Sequence, residues 1–483
     1  MLGDAALSGI GGHMIRGWMS KASAALLLTA SALALGTASA QAADLGGNCC
    51  ADLEERIAEL EATTARKGNR KVSLEVSGQV NEALMYFDDG TESNAYIVTN
   101  DNSRSRFRFK GKAKISSDLE AGHLLEIGVR GANSKRVTQD DDNAVADSGF
   151  DLRHSTWFLK SKTFGQVNVG LTGTASEEIT EANLSQTGAF AKYSDVEDSG
   201  LGMRLRRNGS PISALSWRRL LKDTGDQAGE GDRENIVRYE TPEFKGFTAV
   251  AAWGEDDFWD VGLKYAGEIG DFKLIGRVAY SETTEDPVTA AGNTIDTQCL
   301  SNSPAGTDTE SDAQCNSLGG SISVMHSPTG LYANFAAGQF QDDLIENSTG
   351  VNGFAGTGAD DTSTFYAVQA GIERKWNELG KTTVYGEYYN NDGGANGRRA
   401  VAANDSVNPF GATASRIFGS EVEVFGLGVA QGIDAASMTL YLSYRHIEGD
   451  LTVKQNAAGA AGAVSTIGLD DLDIVMTGGI IKF

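Results

Sequence analysis

Basic charge is in short supply in this chain: 41 Lys and Arg stand against 65 Asp and Glu, a formal net charge of -24. That argues against a nucleic-acid partner, because a phosphate backbone binds through a basic face and the counterions it releases. Proline is nearly missing, at 6 residues in 483, while glycine reaches 59 and hydrophobic residues only 40%. The balance disfavours a helical bundle and suits many short strands joined by glycine-rich turns. Past Ala43 no apolar run approaches the roughly 18 residues that a membrane-spanning helix needs. If the chain crosses a membrane, it does so with strands. Enzyme signatures are also wanting, with no helical His-Glu-x-x-His pair, no Gly-x-Ser-x-Gly elbow and no Gly-x-x-x-x-Gly-Lys loop, and nothing calls for a cofactor or a resident metal.

The amino end reads as a processing signal, in which Arg16 and Lys21 precede an apolar run from Ala24 to Leu35 and a small-residue stretch ending Ala40, Gln41, Ala42. Residues 1–42 are accordingly expected to be a signal peptide cut after Ala42, or after Ala40, with Met14 or Met19 as alternative starts. The run is too short to span a bilayer comfortably. Residues 43–70 follow as a short helical segment, where Leu53, Ile57, Leu60 and Thr64 form a two-heptad seam that is marginal alone and gains support only within an oligomer. A frayed polar helix fits the same residues.

From Lys71 to the end the pattern changes to period two. Val72, Leu74, Val76, Val80 and Leu84 take one face of the first strand, and Ser73, Glu75, Ser77, Gln79 and Asn81 the other. Alternation this long exceeds a soluble strand of about five or six residues and matches a tilted membrane strand, apolar toward lipid and polar toward a wet lumen. The grammar recurs at Ser105 to Ile115, Leu124 to Gly131, Val261 to Tyr265, Phe272 to Tyr280, Tyr366 to Ile372 and Met438 to Tyr444. Short turns, such as Ser117 to Gly122, Pro242 to Gly246, Gly267 to Asp271, Ser327 to Gly330 and Asn377 to Lys381, alternate with long connections. This is the asymmetry of an outer-membrane barrel. The expected fold is therefore all-β, a transmembrane antiparallel β-barrel over 71–483 with a tally of about 18 strands, or about 16 if Leu201 to Arg207 and Ile212 to Leu221 belong to a loop. Leu472 to Phe483 reads as the closing strand, its terminal Phe483 serving as the contact to the barrel assembly machinery.

Three stretches carry a family likeness: "CCADLEERIAELEATTARKGNRKVSL" near the amino end, "VRYETPEFKGFTAVAAWGEDDFWDVGLKYAGE" in mid-chain, and the terminal strand ending in phenylalanine. On these the chain resembles the alphaproteobacterial general porins over essentially the whole mature sequence. The resemblance implies a homotrimer of outer-membrane barrels, each narrowed by a third long loop folded inward, that lets small hydrophilic solutes diffuse through a water-filled channel. Composition and periodicity do not themselves imply the trimer.

Charge patterning suggests where such a channel would be lined. Arg104, Arg106, Arg108 and Lys110 alternate with Ser105, Phe107 and Phe109, so the cations project to one side at about 7 Å intervals and, with phenylalanine toward lipid, face water. Where the family's inward loop would lie, Thr174 to Gly200 carries Glu177, Glu178, Glu181, Asp195, Glu197 and Asp198. A basic wall facing an acidic loop produces a transverse field that sets ion preference, although any acidic surface loop reads alike.

Four cysteines remain. Cys299 and Cys315 lie in one serine-, asparagine- and glycine-rich outward loop, and pairing them would pin a segment with little else to hold it. Cys49 and Cys50 are adjacent and bridge each other only with strain, so links between subunits are expected there, a lipoprotein anchor being the rival that Gly46, Gly47 and Asn48 fit poorly. Asp140, Asp141, Asp142 and Asp147 lack the spacing of a calcium loop and read as a solvated outward loop bridged to lipopolysaccharide by divalent ions. His154 beside Ser155 is weak evidence for a catalytic base. Two other functions compete with diffusion: a lipase-like barrel enzyme, and an adhesin or binding barrel with a plugged lumen.

Overall fold

The computed structural model describes residues 72–144, 149–221, 228–254, 258–284, 315–342, 361–393, 400–401, 415–455 and 462–483. The signal segment, the helical seam and Cys49, Cys50 and Cys299 lie outside the described residues. In chain order the strands are β1 (Ser73–Asp88), β2 (Ser93–Thr99), β3 (Arg106–Lys114), β4 (Leu119–Val129), β5 (Phe150–Ser161), β6 (Gly165–Gly173), β7 (Arg204–Arg207), β8 (Ser210–Ser216), β9 (Arg233–Glu240) and β10 (Phe247–Gly254). They continue with β11 (Phe258–Ile269), β12 (Phe272–Thr283), β13 (Cys315–His326), β14 (Leu331–Asp342), β15 (Thr362–Arg374), β16 (Thr382–Gly393), β17 (Ala400–Val401), β18 (Ser415–Ile433), β19 (Met438–Gln455), β20 (Val464–Gly468) and β21 (Leu472–Lys482).

A closed antiparallel barrel of 16 strands results. β2, β17 and β20 add to it beside β1, β18 and β19, while β7 and β8 form a separate hairpin. Closure comes from β21 on β1, in register from Gln79 opposite Lys482 to Asp88 opposite Asp473. Phe483 completes it: its amide donates to the Gly78 carbonyl at 3.0 Å and its carbonyl accepts from the Gly78 amide at 2.8 Å. An open edge in lipid would leave several kcal/mol of unmet hydrogen bonding per exposed group.

Alternation decides which way each side chain points. Along β11, Trp259, Val261 and Leu263 are 36%, 45% and 44% exposed on the outer face, while Asp260 between them is fully buried on the inner one. Aromatic residues mark both rims, as amphipathic rings do at membrane interfaces. Phe164, Phe244, Trp376 and Phe483 stand out at the short-turn end, and Trp253 faces Trp259 across the β10–β11 pair near the other.

The strands run further than periodicity alone placed them. β11 continues to Ile269, which pairs with Phe272, so the turn expected at Gly267 to Asp271 shrinks to Gly270 and Asp271. Gly270 sits at φ 58°, in the left-handed region where the absence of a Cβ removes the penalty. β4 likewise begins at Leu119, inside the turn expected at Ser117 to Gly122.

Of the two counts the structure has 16, with the pair around Leu201–Arg207 in the loop, and the reason is where the apolar residues go. Leu201, Met203, Leu205 and Trp217, on and around the β7–β8 hairpin, are buried in one cluster with Met85 and Phe87 of β1 and Ile474 and Met476 of β21. Those strand residues face inward, so the hydrophobic core of this protein fills part of the lumen.

Placing a charge on the outer face tests the assignment. Leu263→Arg is expected to lower folding stability by about 2–4 kcal/mol, the cost of a cation at mid-bilayer depth on a lipid-facing strand. Lys264→Arg, the next residue and lumen-facing, should change it by less than about 0.5 kcal/mol. Urea titration of refolding into lipid vesicles measures both, and equal effects would show that the faces are reversed.

Candidate functional site

Between β6 and β9, the described residues 174–221 and 228–232 turn back into the barrel, and polar residues that face inward satisfy this irregular backbone. The Arg277 guanidinium donates to the Glu178 carbonyl at 2.6 Å. Ser321 donates to the Ile179 carbonyl at 2.5 Å and accepts from the Ala182 amide at 3.0 Å. Ser323 accepts from the Leu184 amide at 3.0 Å, and Glu373 from the Gln186 amide at 2.8 Å. Asn81 and Asn100 donate to the Ala189 and Phe190 carbonyls at 3.3 and 3.1 Å. A buried backbone group left unpaired costs about as much as a lost hydrogen bond, so these side chains fix the loop's course.

The strongest of these ties is ionic. Arg445 of β19 and Glu387 of β16 are each 2% exposed, with Nε 2.7 Å from Oε1. The remaining guanidinium nitrogens donate to the loop carbonyls of Lys192 at 2.8 Å and Val196 at 3.1 Å. Removing one partner of such a pair costs about 3–5 kcal/mol, because the other is left buried and charged. On the loop's return leg, backbone meets backbone. A Cβ at Gly319 would lie 2.2 Å from the Gly229 carbonyl oxygen, and one at Gly338 1.8 Å from that of Ala228, so the approach requires glycine at both wall positions.

These contacts fall on β1, β12, β13, β14, β15, β16 and β19, with Asn100 just after β2, and the complementary sector of the ring carries a basic cluster. Glu126 of β4, fully buried, accepts from Arg106 at 3.3 Å, from Arg108 Nε at 2.6 Å and from Arg153 at 2.7 Å. One carboxylate thus holds three guanidiniums. Arg153 reaches it because the β4–β5 pairing shifts register between Glu126 and Ile127, a bulge that re-aims a side chain.

On the loop, Glu177 pairs with Arg233 at 2.5 Å. Glu178 adopts φ 56° and is exposed. Although its side chain is accessible, the surrounding protein of the lumen displaces water and acts to raise its pKa, but Lys192, Arg277, Arg233 and Lys264 outweigh this and hold the carboxyl below its usual range. Glu181 and Asp195 instead turn into the loop, onto Lys192 at 2.5 and 3.0 Å. Glu230, which accepts from Thr180, joins them in one buried group. Burial and the neighbouring Asp195 and Glu178 push Glu181 up to about 8 despite Lys192. Burial, with Asp195 and Glu181 beside it, raises Glu230 well above the ordinary carboxylate value.

The expected basic ladder is thus divided. Arg104 lies beyond the strand, after the short turn Asp101–Ser103, and pairs with Asp151 at 2.8 Å. Arg106 and Arg108 converge on Glu126 of the neighbouring strand, and Lys110 is exposed on the same inner face. The direct partners of the arginines are wall carboxylates, while Glu177 finds Arg233, a residue the charge pattern did not single out. Cys315 is disulfide-bonded at the start of β13. His154, opposite Glu126 on the inner face, lies 3.3 Å from Thr172, whereas the exposed Ser155 faces outward. Alternation separates that pair. Asp140 bridges Arg204 at 3.0 Å, and Asp147 lies outside the described residues.

The model of the Gram-negative porins matches residues 28–474. No curated protein matches. Among solved structures, the high-pH form of OprB from Pseudomonas putida is 11% identical over 89% of this chain and 97% of its own, with TM-score 0.49. The anion-selective porin from Comamonas acidovorans is 16% identical over 85% and 100%, with TM-score 0.48. In-vitro folded OmpT of Vibrio cholerae is 12% identical over 86% and 99%, with TM-score 0.47.

The buried carboxylates make the loop sensitive to pH. A Glu181 raised from 4.5 to about 8 contributes stability that is full below pH 4.5 and lost as pH rises toward 8, because the unfolded chain ionises first. Glu230 adds the same sign. The midpoint of thermal unfolding, followed by circular dichroism, should therefore fall from pH 5 to pH 9, and Glu181→Gln should shrink the fall. Identical pH profiles for parent and variant would refute the assignment.

Proposed function

The chain belongs to the Gram-negative porin family and forms a passive channel across the outer membrane; we propose that its narrowest passage lies between the arginines around Glu126 and the loop carboxylates Glu177 and Glu178. The observation that carries this is the loop, described over 174–221 and 228–232, docked along one side of a closed barrel, with its exposed acid, Glu178, near Arg233 and Lys264 of the facing wall as well as Lys192 and Arg277 of its own side. Arg106, Arg108 and Arg153 share one carboxylate, so that wall keeps a positive excess. Within a passage no wider than the Debye length of about 8 Å, fixed charges of either sign reach the whole cross-section. Small hydrophilic solutes and ions are the cargo, and Arg104 and Lys110 extend the basic wall above and below the passage.

The mature protein is an alphaproteobacterial general porin, exported through its cleaved signal peptide, and three copies assemble through the barrel wall. Phe483, seated against Gly78 at the seam, is the end that the assembly machinery grips, and lipopolysaccharide surrounds the outer rim. Cys315 pairs with Cys299, and Cys49 or Cys50 links subunits beside the seam of Leu53, Ile57 and Leu60. The likeness of the amino-terminal and mid-chain stretches to those porins supports the assembly.

Two measurements test these readings. In a salt gradient across a planar bilayer, Arg106→Gln with Arg108→Gln should shift the reversal potential toward cations, and Glu177→Gln with Glu178→Gln toward anions, each by about twofold or more in permeability ratio. Unchanged reversal potential and conductance in both would remove these residues from the constriction. On unheated detergent gels the purified protein should run as one high-mass band that boiling, together with reductant, collapses to the monomer. A monomer band alone after mild solubilisation, supported by light scattering, would sink the trimer.

A further inference from the structure

Past the arginine cluster, toward the short-turn end, the inner faces of β3, β4, β5, β6 and β9 enclose a cavity of about 400 Å3. Lys110 and Lys112 of β3, Lys160 of β5 and Arg238 of β9 supply four cations to its lining. Two carboxylates, Glu120 and Glu177, oppose them, and Glu177 is already taken by Arg233. Among the described residues no carboxylate lies within ion-pair distance of Lys110, Lys112 or Lys160, and all three are exposed to the lumen. Arg238 meets Glu240 through one terminal nitrogen at 3.0 Å, while its buried Nε has no partner.

Register sets the spacing. Lys110 and Lys112 stand about 7 Å apart along one strand, and Lys160 lies two strands away, about 10 Å across the sheet. Between them the wall is flat: Phe158 lies over Gly122, where a Cβ would come 2.3 Å from the ring. An apolar floor, neutral hydrogen-bonding groups on Thr156 and Asn168, and separated ammonium groups at the edges fit a small solute with a negative charge at each end. The overall charge of -24 offers such a solute nothing, so the attraction is local to this wall.

We propose that this cavity is an anion site, that its solutes are small dianions of the dicarboxylate class, and that it makes the channel prefer anions. The inference rests on the channel reading and goes further by naming the sign of selectivity and the class of solute. A dianion bound there bridges Lys110 or Lys112 to Lys160, and water competing for the strongly hydrated, exposed ammonium groups lets it leave again, as conduction requires.

The experiment uses the full-length protein in planar bilayers, with reversal potentials in a potassium chloride gradient and succinate as the probe. The parent should favour chloride over potassium, and millimolar succinate should depress its chloride conductance where a neutral sugar of similar size does not. Lys110→Gln, Lys112→Gln and Lys160→Gln together should lower the anion-to-cation ratio by about threefold or more and abolish the succinate effect, while the corresponding three Lys→Arg changes retain both. A cation-preferring parent, or a glutamine variant indistinguishable from it, overturns the proposal while leaving the channel intact. Absence of any conductance steps in the parent would instead overturn the channel reading and this inference with it. If the triple variant does not insert, the parent's succinate response decides alone, and no response overturns the site.

Discussion

Hydrocarbon offers no partner to a peptide N–H or C=O, and this one constraint organises the molecule. It forces the strands into a ring closed at Gly78 and Phe483, turns every second side chain to lipid, and leaves the lumen as the place for polar and irregular backbone. The usual relation of core to surface is thereby inverted. Leu201, Met203, Phe190 and Trp217 pack inside the ring, while Leu263, Phe247 and Leu427 face outward. An apolar cluster in the lumen gives the loop a packing energy of its own, and the ties from Ser321, Asn100 and Arg445 give it a position.

The electrostatics follow from that arrangement. Cations on the unobstructed sector cannot be neutralised by lipid, so they compete for a few carboxylates, and Glu126 ends with three partners. On the docked side the problem is reversed: Glu181, Asp195 and Glu230 share Lys192, and protons make up the difference. A surplus of cations and a surplus of protonated carboxyls therefore coexist in one lumen, the first open to solutes and the second sealed inside the loop.

Most of the wall was legible in the residues. Leu74, Val76 and Val80 alternate with polar neighbours because lipid tolerates nothing else on that face, and all three are exposed on the outside of β1. β7 and β8 left the count open between 18 and 16 because Leu201, Met203 and Leu205 alternate as well, and period two does not tell lipid from a buried loop. Arg153 was illegible for another reason: a one-residue register shift brings it to Glu126, and strict alternation does not anticipate a bulge. Glu181 and Glu178 look alike in sequence, yet one is folded onto Lys192 and the other is exposed, since partner choice depends on a fold-back that local pattern does not encode. Glu126 did leave a signal, as a charge in mid-strand flanked by Leu124, Leu125 and Ile127.

The one-sided docking of the loop divides the barrel into two regimes of evolutionary freedom. Where Gly229 presses on Gly319 and Gly338, adding even a methyl group collides with main chain, so that half of the circumference changes only in concert with the loop. Along Lys110, Lys112 and Lys160 the side chains end in open solvent, and a single nucleotide change can replace one without disturbing a neighbour. A lineage carrying this scaffold can therefore retune what it admits from the outside world one residue at a time, while its architecture stays fixed by the other half.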